Sequence, residues 1–387
     1  MIGDRMPAVA WAAAVLFAPL NGIRINRAFS VSDGLIAFAV VATATSPTSR
    51  RKIRDVTADR ALLIGLGLLT LGALIGSIFA PHPWTSLGGT ARFVFISLSS
   101  VVAVGLWAPS RGTLRRFCVL WLSGATANAL WALVVSPTVW GRRAGLASHP
   151  NSLGLVCVLG TGLALGFCLS DRGIPRRVAE ASCALLAVGV VLSGSRAALL
   201  GLVTAVPVVL VLSSRRRLVL PTVAATLLVG GAVLAGALHP PAHGSLGRLV
   251  GDRSTVESDA SRDELLRRTG DRIKAHPLTG EGFQYAHEAH SIYLQALVAG
   301  GPLGLAGLAL INGMALTAAW RALAARREAV TGDHSVLAGL AGGYAGYLVA
   351  AAFQNSLGER HVWLYLAGAT ALARELRPMG QGGPRTL

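Results

Sequence analysis

The chain has 387 residues, of which 53% are hydrophobic and only 14% charged, with a mean hydropathy of +0.57 and a formal net charge of +17. A soluble domain carries about a quarter of its residues as charges, so the composition excludes a soluble enzyme. The basic residues sit in short clusters between apolar runs, which is how a polytopic membrane protein is built, and this excludes a nucleic-acid binder as well.

Taken against about 20 residues per helical crossing, the apolar runs predict twelve spans, near 8–23, 31–46, 61–80, 91–109, 117–138, 152–170, 178–194, 197–213, 218–238, 291–319, 336–353 and 361–376. The first run, Ala8 to Leu20 behind Arg5, is as short as a signal-peptide core. No small-x-small cleavage site follows it, so it reads as a membrane anchor. Only Ser193-Gly-Ser-Arg196 separates the seventh and eighth spans, which must form a tight hairpin. Cys118, Cys157, Cys168 and Cys183 all lie in apolar runs without Cys-x-x-Cys spacing, so neither a disulfide framework nor a zinc site is indicated.

Between the ninth and tenth spans lies one long hydrophilic segment, about 239–290. Within it Ser261, with Glu264 three residues on, reads as a capping box opening an amphipathic helix whose apolar side would be Leu265, Leu266 and Ile273. His276-Pro277 and Gly280-Glu-Gly282 then end that helix. The expected fold is an all-α integral membrane protein with about 12 transmembrane helices: nine in 1–238, a large extracytoplasmic loop over 239–290, and three helices with a cytoplasmic tail in 291–387.

Lys and Arg in short loops remain cytoplasmic. The clusters at 50–60, 111–116, 172–177, 215–217, 321–327 and 374–385 all fall on one side if both termini are cytoplasmic, and with Arg5 they hold 21 of the 35 basic residues. The long loop holds seven basic and eight acidic residues. The positive charge that orientation leaves unexplained therefore belongs to arginines in short external turns, Arg142, Arg143 and Arg196 among them.

A charge facing lipid costs several kcal/mol, so chemistry in such a chain belongs at an interface or in a wet cavity. The densest polar cluster is His287-Glu-Ala-His290-Ser-Ile-Tyr-Leu-Gln295, where the long loop meets the tenth span. An unperturbed imidazole titrates near pH 6.5, so His290 could take a proton from a sugar hydroxyl as that hydroxyl attacks. Guanidinium groups bind diphosphate oxygens bidentately, and holding a leaving diphosphate is the electrostatic part of such a reaction. Other readings stand beside these. His290 could be a locally bonded helix-start residue. His287 with His290 could be a metal pair, although no third ligand is nearby. Glu288 could be the base. Arg196 could snorkel to lipid phosphates, and the arginines of 262–272 could form a solvated face with Asp263, Glu264 and Asp271. Gly301, Gly304 and Gly307 read mainly as a small-residue packing face.

His290-Ser291, nine residues, then Gly301-Pro-Leu-Gly304 resembles the motif of bacterial O-antigen ligases, His-(Asn/Ser/Gln)-x9-Gly-x-x-Gly. Tyr293-Leu-Gln295, Ala275-His-Pro-Leu-Thr-Gly280, Ser193-Gly-Ser-Arg196 and Gly145-Leu-Ala-Ser-His-Pro-Asn151 are similar to further stretches of the O-antigen ligase and polymerase superfamily, so that the resemblance covers roughly 140–315. It departs at Ser291, where Asn is frequent, and at Glu281, where an apolar residue is more usual. The resemblance implies a C-type glycosyltransferase that moves a glycan from undecaprenyl diphosphate to an acceptor hydroxyl at the outer face of the bacterial plasma membrane, without cofactor or metal. It also implies membrane lipids and a lipid, glycan or protein acceptor as partners, and no nucleic acid. By resemblance His290 is the base or acceptor-positioning group, Arg196 holds the donor diphosphate, and Arg262 is the second arginine. Arg142, Arg143, His149, Asn151, Tyr293 and Gln295 are expected to bind the diphosphate or glycan. A polymerase and a lipid-linked glycan transporter are the alternatives. A transporter should show paired pseudo-symmetric halves, and none is visible in the sequence.

Overall fold

The computed structural model describes residues 2–25, 29–46, 60–107, 109–139, 141–170, 173–213, 253–284, 286–324 and 332–376. The expected ninth span, 218–238, and the first part of the long loop lie outside the described residues. Each of the other eleven spans falls on a helix. In chain order the helices are α1 (Ile2–Phe17), α2 (Val31–Thr45), α3 (Arg60–Ile78), α4 (Pro83–Trp107), α5 (Arg111–Val134), α6 (Pro150–Cys168), α7 (Arg176–Ser193) and α8 (Arg196–Leu212). They continue with α9 (Arg253–Ala275), α10 (Ile292–Ala324), α11 (Gly332–Ala351) and α12 (Arg360–Glu375). A two-residue antiparallel hairpin, β1 (Thr138–Val139) and β2 (Arg142–Arg143), joins α5 to α6.

Among the described residues four helices, α3, α5, α6 and α10, are long and apolar enough to cross a membrane, and Met6–Leu20, Val31–Thr45 and Arg196–Leu212 are shorter apolar helices. Large apolar side chains also face outward, among them Val9, Phe38, Val41, Ile64, Leu71, Leu130, Val188 and Leu200. A helix that is hydrophobic on its outer as well as its inner face belongs in lipid. The protein is an all-α, multi-pass membrane protein. Its centre is α6, buried along nearly its whole length against α7, α8 and α11. The four cysteines are free thiols.

Local sequence chemistry sets the helix ends. Ser30 caps α2 in a reciprocal box with Asp33. His149 caps α6 and Pro150 occupies its first turn. The α7–α8 hairpin turns on Gly194, left-handed at φ 57°, after which the Ser195 hydroxyl accepts the Ala198 N–H to start α8.

Two features differ from the sequence expectation. The loop helix α9 begins at Arg253, eight residues before Ser261, so Ser261 lies inside it rather than at its N-cap. The tenth span is also not one continuous helix. Gly300 (φ −140°, ψ 20°) and Gly301 (φ 60°, ψ −157°) break α10 ahead of Pro302. The Val298 carbonyl freed by the break accepts the backbone N–H of Glu281 at 2.7 Å. Only glycine adopts the Gly301 conformation readily. The glycines of this helix also pack it on α3. A methyl group at Gly72 would lie 2.6 Å from the Gly300 carbonyl oxygen, and one at Gly307 would lie 2.6 Å from that of Gly65. Backbones approaching this closely lock α3, α10 and the 280–282 segment together, and so fix the place where α10 begins.

Candidate active site

One end of the bundle gathers the start of α2, α4, α6, α8, α10 and α12, and α9 docks on it. The contacts that close this end join residues far apart in sequence. Ser86 Oγ donates to the Glu281 carbonyl at 3.2 Å, and Arg272 Nη1 donates to Glu281 Oε2 at 2.8 Å. Gln354 Nε2 donates to Ser195 Oγ at 2.6 Å.

His290 stands in the turn between a short 3-10 helix, Ala286–Ala289, and the first residue of α10. Its φ of 47° is the one positive value at a non-glycine residue among the described residues. Left-handed backbone costs an L-residue of this kind about 1–2 kcal/mol. Strain of this sort is kept where the surrounding structure enforces it, and it gathers at functional sites. Here the enforcement comes from the buried Ala289 and Ile292 on either side.

Arg196 is the first residue of α8. Its Nη2 donates to both carboxylate oxygens of Asp259, at 2.5 and 2.7 Å, and Arg262 reaches the same carboxylate at 3.7 Å. Two arginines from distant parts of the chain thus converge on a single anionic group.

The face that α9 turns to the bundle is mixed rather than apolar. Thr269 is buried on it and Asp259, Arg262, Leu265, Arg272 and Ile273 are half-buried, whereas Leu266 is exposed. The opposite face holds Arg267 and Arg268, which bond Glu264 in the open. Hydrogen bonds from Arg267 and then Arg268 hold the Glu264 carboxyl down at about 2. The reading of this arginine run as a solvated face therefore holds for Arg267 and Arg268, while Arg262 and Arg272 point into the site. Arg272 pairs with Glu281 and lies 3.8 Å from Glu288, two residues before His290. Glu288 is thereby engaged in an ion pair. The His287 side chain lies outside the described residues.

The other expected binding residues have partners within the protein. Arg142 is buried; its Nε donates to the Ser193 carbonyl at 2.6 Å and its Nη2 to Asn151 Oδ1. It ties the β-hairpin and the start of α6 to the α7–α8 hairpin, just ahead of Arg196. Arg143 donates to the Ala132 and Leu133 carbonyls at 2.7 and 2.6 Å, capping the end of α5. The Asn151 N–H donates to His149 Nδ1 at 3.0 Å. Tyr293 donates to the Leu348 carbonyl at 3.2 Å. Gln295 Oε1 accepts the backbone N–H groups of Ser356 and Leu357, both at 3.1 Å. These six residues build the frame around Arg196 and His290.

The sequence reading assigned no role to residues 352–360, the connection from α11 to α12. Gln354 holds the cap of α8 beside Arg196, and Ser356 and Leu357 are held by Gln295, five residues after His290. Glu359 accepts from Ser152 at 2.8 Å and from Asn21. Arg360 pairs through two nitrogens with Asp33, at 2.5 and 2.6 Å, both residues being buried. The one available signal was the oddity of Gln, Asn, Glu and Arg in seven residues between two apolar runs.

A family model described as O-antigen ligase matches residues 181–309, and no curated protein is significantly similar to the chain. The matched stretch runs from α7 through the break in α10, so it holds Arg196, α9, the Glu281–His290 segment, Gly301 and Gly304. Arg196, Arg262 and His290 thus all lie within the stretch that is similar to the O-antigen ligase family, which supports a place for this part of the chain in that superfamily.

Proposed function

We propose that this protein transfers a glycan from undecaprenyl diphosphate to an acceptor hydroxyl at the outer face of the bacterial plasma membrane, with both termini cytoplasmic, no metal step, and inversion at the anomeric carbon. The observation that carries the reading is the convergence of Arg196 and Arg262 on the Asp259 carboxylate. A pair of guanidiniums that closes on one carboxylate also fits a diphosphate, which offers more charge and more acceptor oxygens. In the reaction the donor diphosphate takes the place of Asp259 between the two arginines.

The donor then lies along α9, with its diphosphate at Arg196 and Arg262 and its sugar toward Arg272 and His290. The acceptor oxygen forms the new glycosidic bond as the anomeric C–O bond to phosphate breaks. The bond's electron pair leaves with the diphosphate, stabilised by the arginines, and the hydroxyl proton passes to the His290 imidazole.

Binding and transfer separate these roles. Arg196→Ala and Arg262→Ala should each weaken binding of undecaprenyl diphosphate to the purified protein by about tenfold or more, the cost of one charge-assisted pair. His290→Ala should bind it as the wild type does and fail to transfer. Equal binding by the wild type and both arginine variants would remove the basis of the proposal.

A further inference from the structure

The two halves of α9 are held in different ways. The C-terminal half is anchored in the bundle. Thr269 is buried there, and Arg272 pairs at 2.8 Å with Glu281, which is only 5% exposed. His276 Nε2 lies 3.6 Å from the same carboxylate. Glu281 is itself fixed through its backbone, its N–H bonded to the Val298 carbonyl and its carbonyl to Ser86. In the N-terminal half the contact with the bundle that crosses to α8 is the pair of Asp259 with Arg196, and these side chains are 41% and 43% exposed.

An ion pair this open to solvent adds little to stability, so it is a poor fastener. It is well suited to being exchanged. Arg196 and Arg262 reach the same oxygen of Asp259, Oδ1, at 2.5 and 3.7 Å, so the two guanidiniums stand close together with one carboxylate between them. That carboxylate offsets their repulsion while no other anion is present. A diphosphate offers more charge and more acceptor oxygens and displaces it. Arg262 and Asp259 share one face of α9, three residues apart. The same helix thus carries a cation that grips the diphosphate and an anion that replaces it.

The reaction sharpens the need for replacement. The donor is a diphosphate diester. Once the glycan has left, the outgoing group is a monoester with a further ionisable oxygen, whose pKa of about 6 leaves it charged at neutral pH. The arginines therefore hold the product more tightly than the donor, and something must loosen that hold in each turnover.

We infer that α9 is a clasp hinged at the buried Arg272–Glu281 anchor and latched to α8 by Asp259, which acts as a built-in competitor for the diphosphate. The latch opens to admit the donor, Arg262 closes on it, and Asp259 retakes Arg196 as the product is let go. The role in product release rests on the proposed transfer reaction, whereas the latch and the anchor rest on the contacts themselves.

The test measures binding of undecaprenyl diphosphate to the purified full-length protein in detergent. Asp259→Asn keeps the size of the side chain and removes its charge. It should bind about fivefold more tightly than the wild type, the weight of one exposed ion pair, and release the ligand more slowly. Asp259→Glu, which keeps the charge, should bind as the wild type does. If Asp259 serves only to hold Arg262 in place, Asp259→Asn binds more weakly; that result, or an unchanged affinity, overturns the inference. Arg196→Ala and Arg262→Ala keep the two readings apart. Where they weaken binding and Asp259→Asn does not strengthen it, the diphosphate site stands and the clasp falls; where neither arginine matters, both fall. A second measurement needs no ligand. Amide hydrogen exchange in Asp259→Asn should quicken over 257–264 and stay slow over 268–275, because the anchor is intact. Exchange that is unchanged, or that quickens equally along the helix, overturns the hinge.

Discussion

The left-handed backbone of His290 separates two roles that the residue could play, conformational and chemical. Glycine relieves the strain at φ 47° but removes the imidazole, whereas alanine removes the imidazole and keeps the strain. His290→Gly should match or exceed the wild type in stability, by up to about 1 kcal/mol, and have no transferase activity. Thermal unfolding in detergent alongside a transfer assay measures both, and substantial activity in the glycine variant would make the residue a turn-former only. His290 and Arg196 could be singled out as candidates from the sequence because each belongs to a local pattern: a histidine at a loop–span junction, and an arginine after a Ser-Gly-Ser turn. Asp259 could not, because nothing local marks one acid among the eight of the long loop as the partner of an arginine on another helix. Arg142, His149 and Asn151 were legible as a group but not by role, since the Ser193 carbonyl that Arg142 bonds lies 51 residues away.

At the scale of elements, the helices were readable and their interruptions were not. A hydropathy window averages over Gly300 and Gly301, and the break depends on a carbonyl finding its partner at Glu281. The glycines of α10 therefore do more than provide a packing face. A Cβ on Gly301 would lie 2.2 Å from the Leu278 carbonyl oxygen and force a strained φ. Gly301→Ala should therefore destabilise the protein by about 1–3 kcal/mol. It should also lower transfer, because the break sets where α10 starts and so where His290 stands. Measuring unfolding and activity on the same preparation tests this; a variant unchanged in both would show that the break has no part in the site. The docked face of α9 was hidden for a related reason. With arginines on both sides of the helix, periodicity cannot tell the solvated pair, Arg267 and Arg268, from the pair that faces inward, Arg262 and Arg272.

At the scale of the molecule, the connection 352–360 ties together the ends of α1, α6, α8, α10 and α12, with the Asp33–Arg360 pair as its buried anchor. Removing one partner leaves an uncompensated buried charge, so Arg360→Ala and Asp33→Ala should each cost about 3–5 kcal/mol. The double variant should cost clearly less than the sum of the two. Denaturant unfolding of the three variants measures that coupling, and simple additivity would mean that the pair does not hold the connection. Composition and charge placed the chain in a membrane and suggested an excess of external arginine for one diphosphate. Among the described residues, the structure separates framework arginines (Arg142, Arg143, Arg360) from a pair on Asp259 (Arg196, Arg262).

The central claim is transfer at the site formed by Arg196, Arg262 and His290, and reconstitution measures it most directly. Purified protein in proteoliposomes is given an undecaprenyl-diphosphate-linked glycan and a membrane extract of its own host as acceptor source, and the fate of the glycan is followed by mass spectrometry. The account predicts that the wild type releases undecaprenyl diphosphate and attaches the glycan to a hydroxyl with inverted anomeric configuration, while Arg196→Ala and His290→Ala, folded and inserted, leave the donor intact. Transfer at wild-type rates by both variants would contradict it.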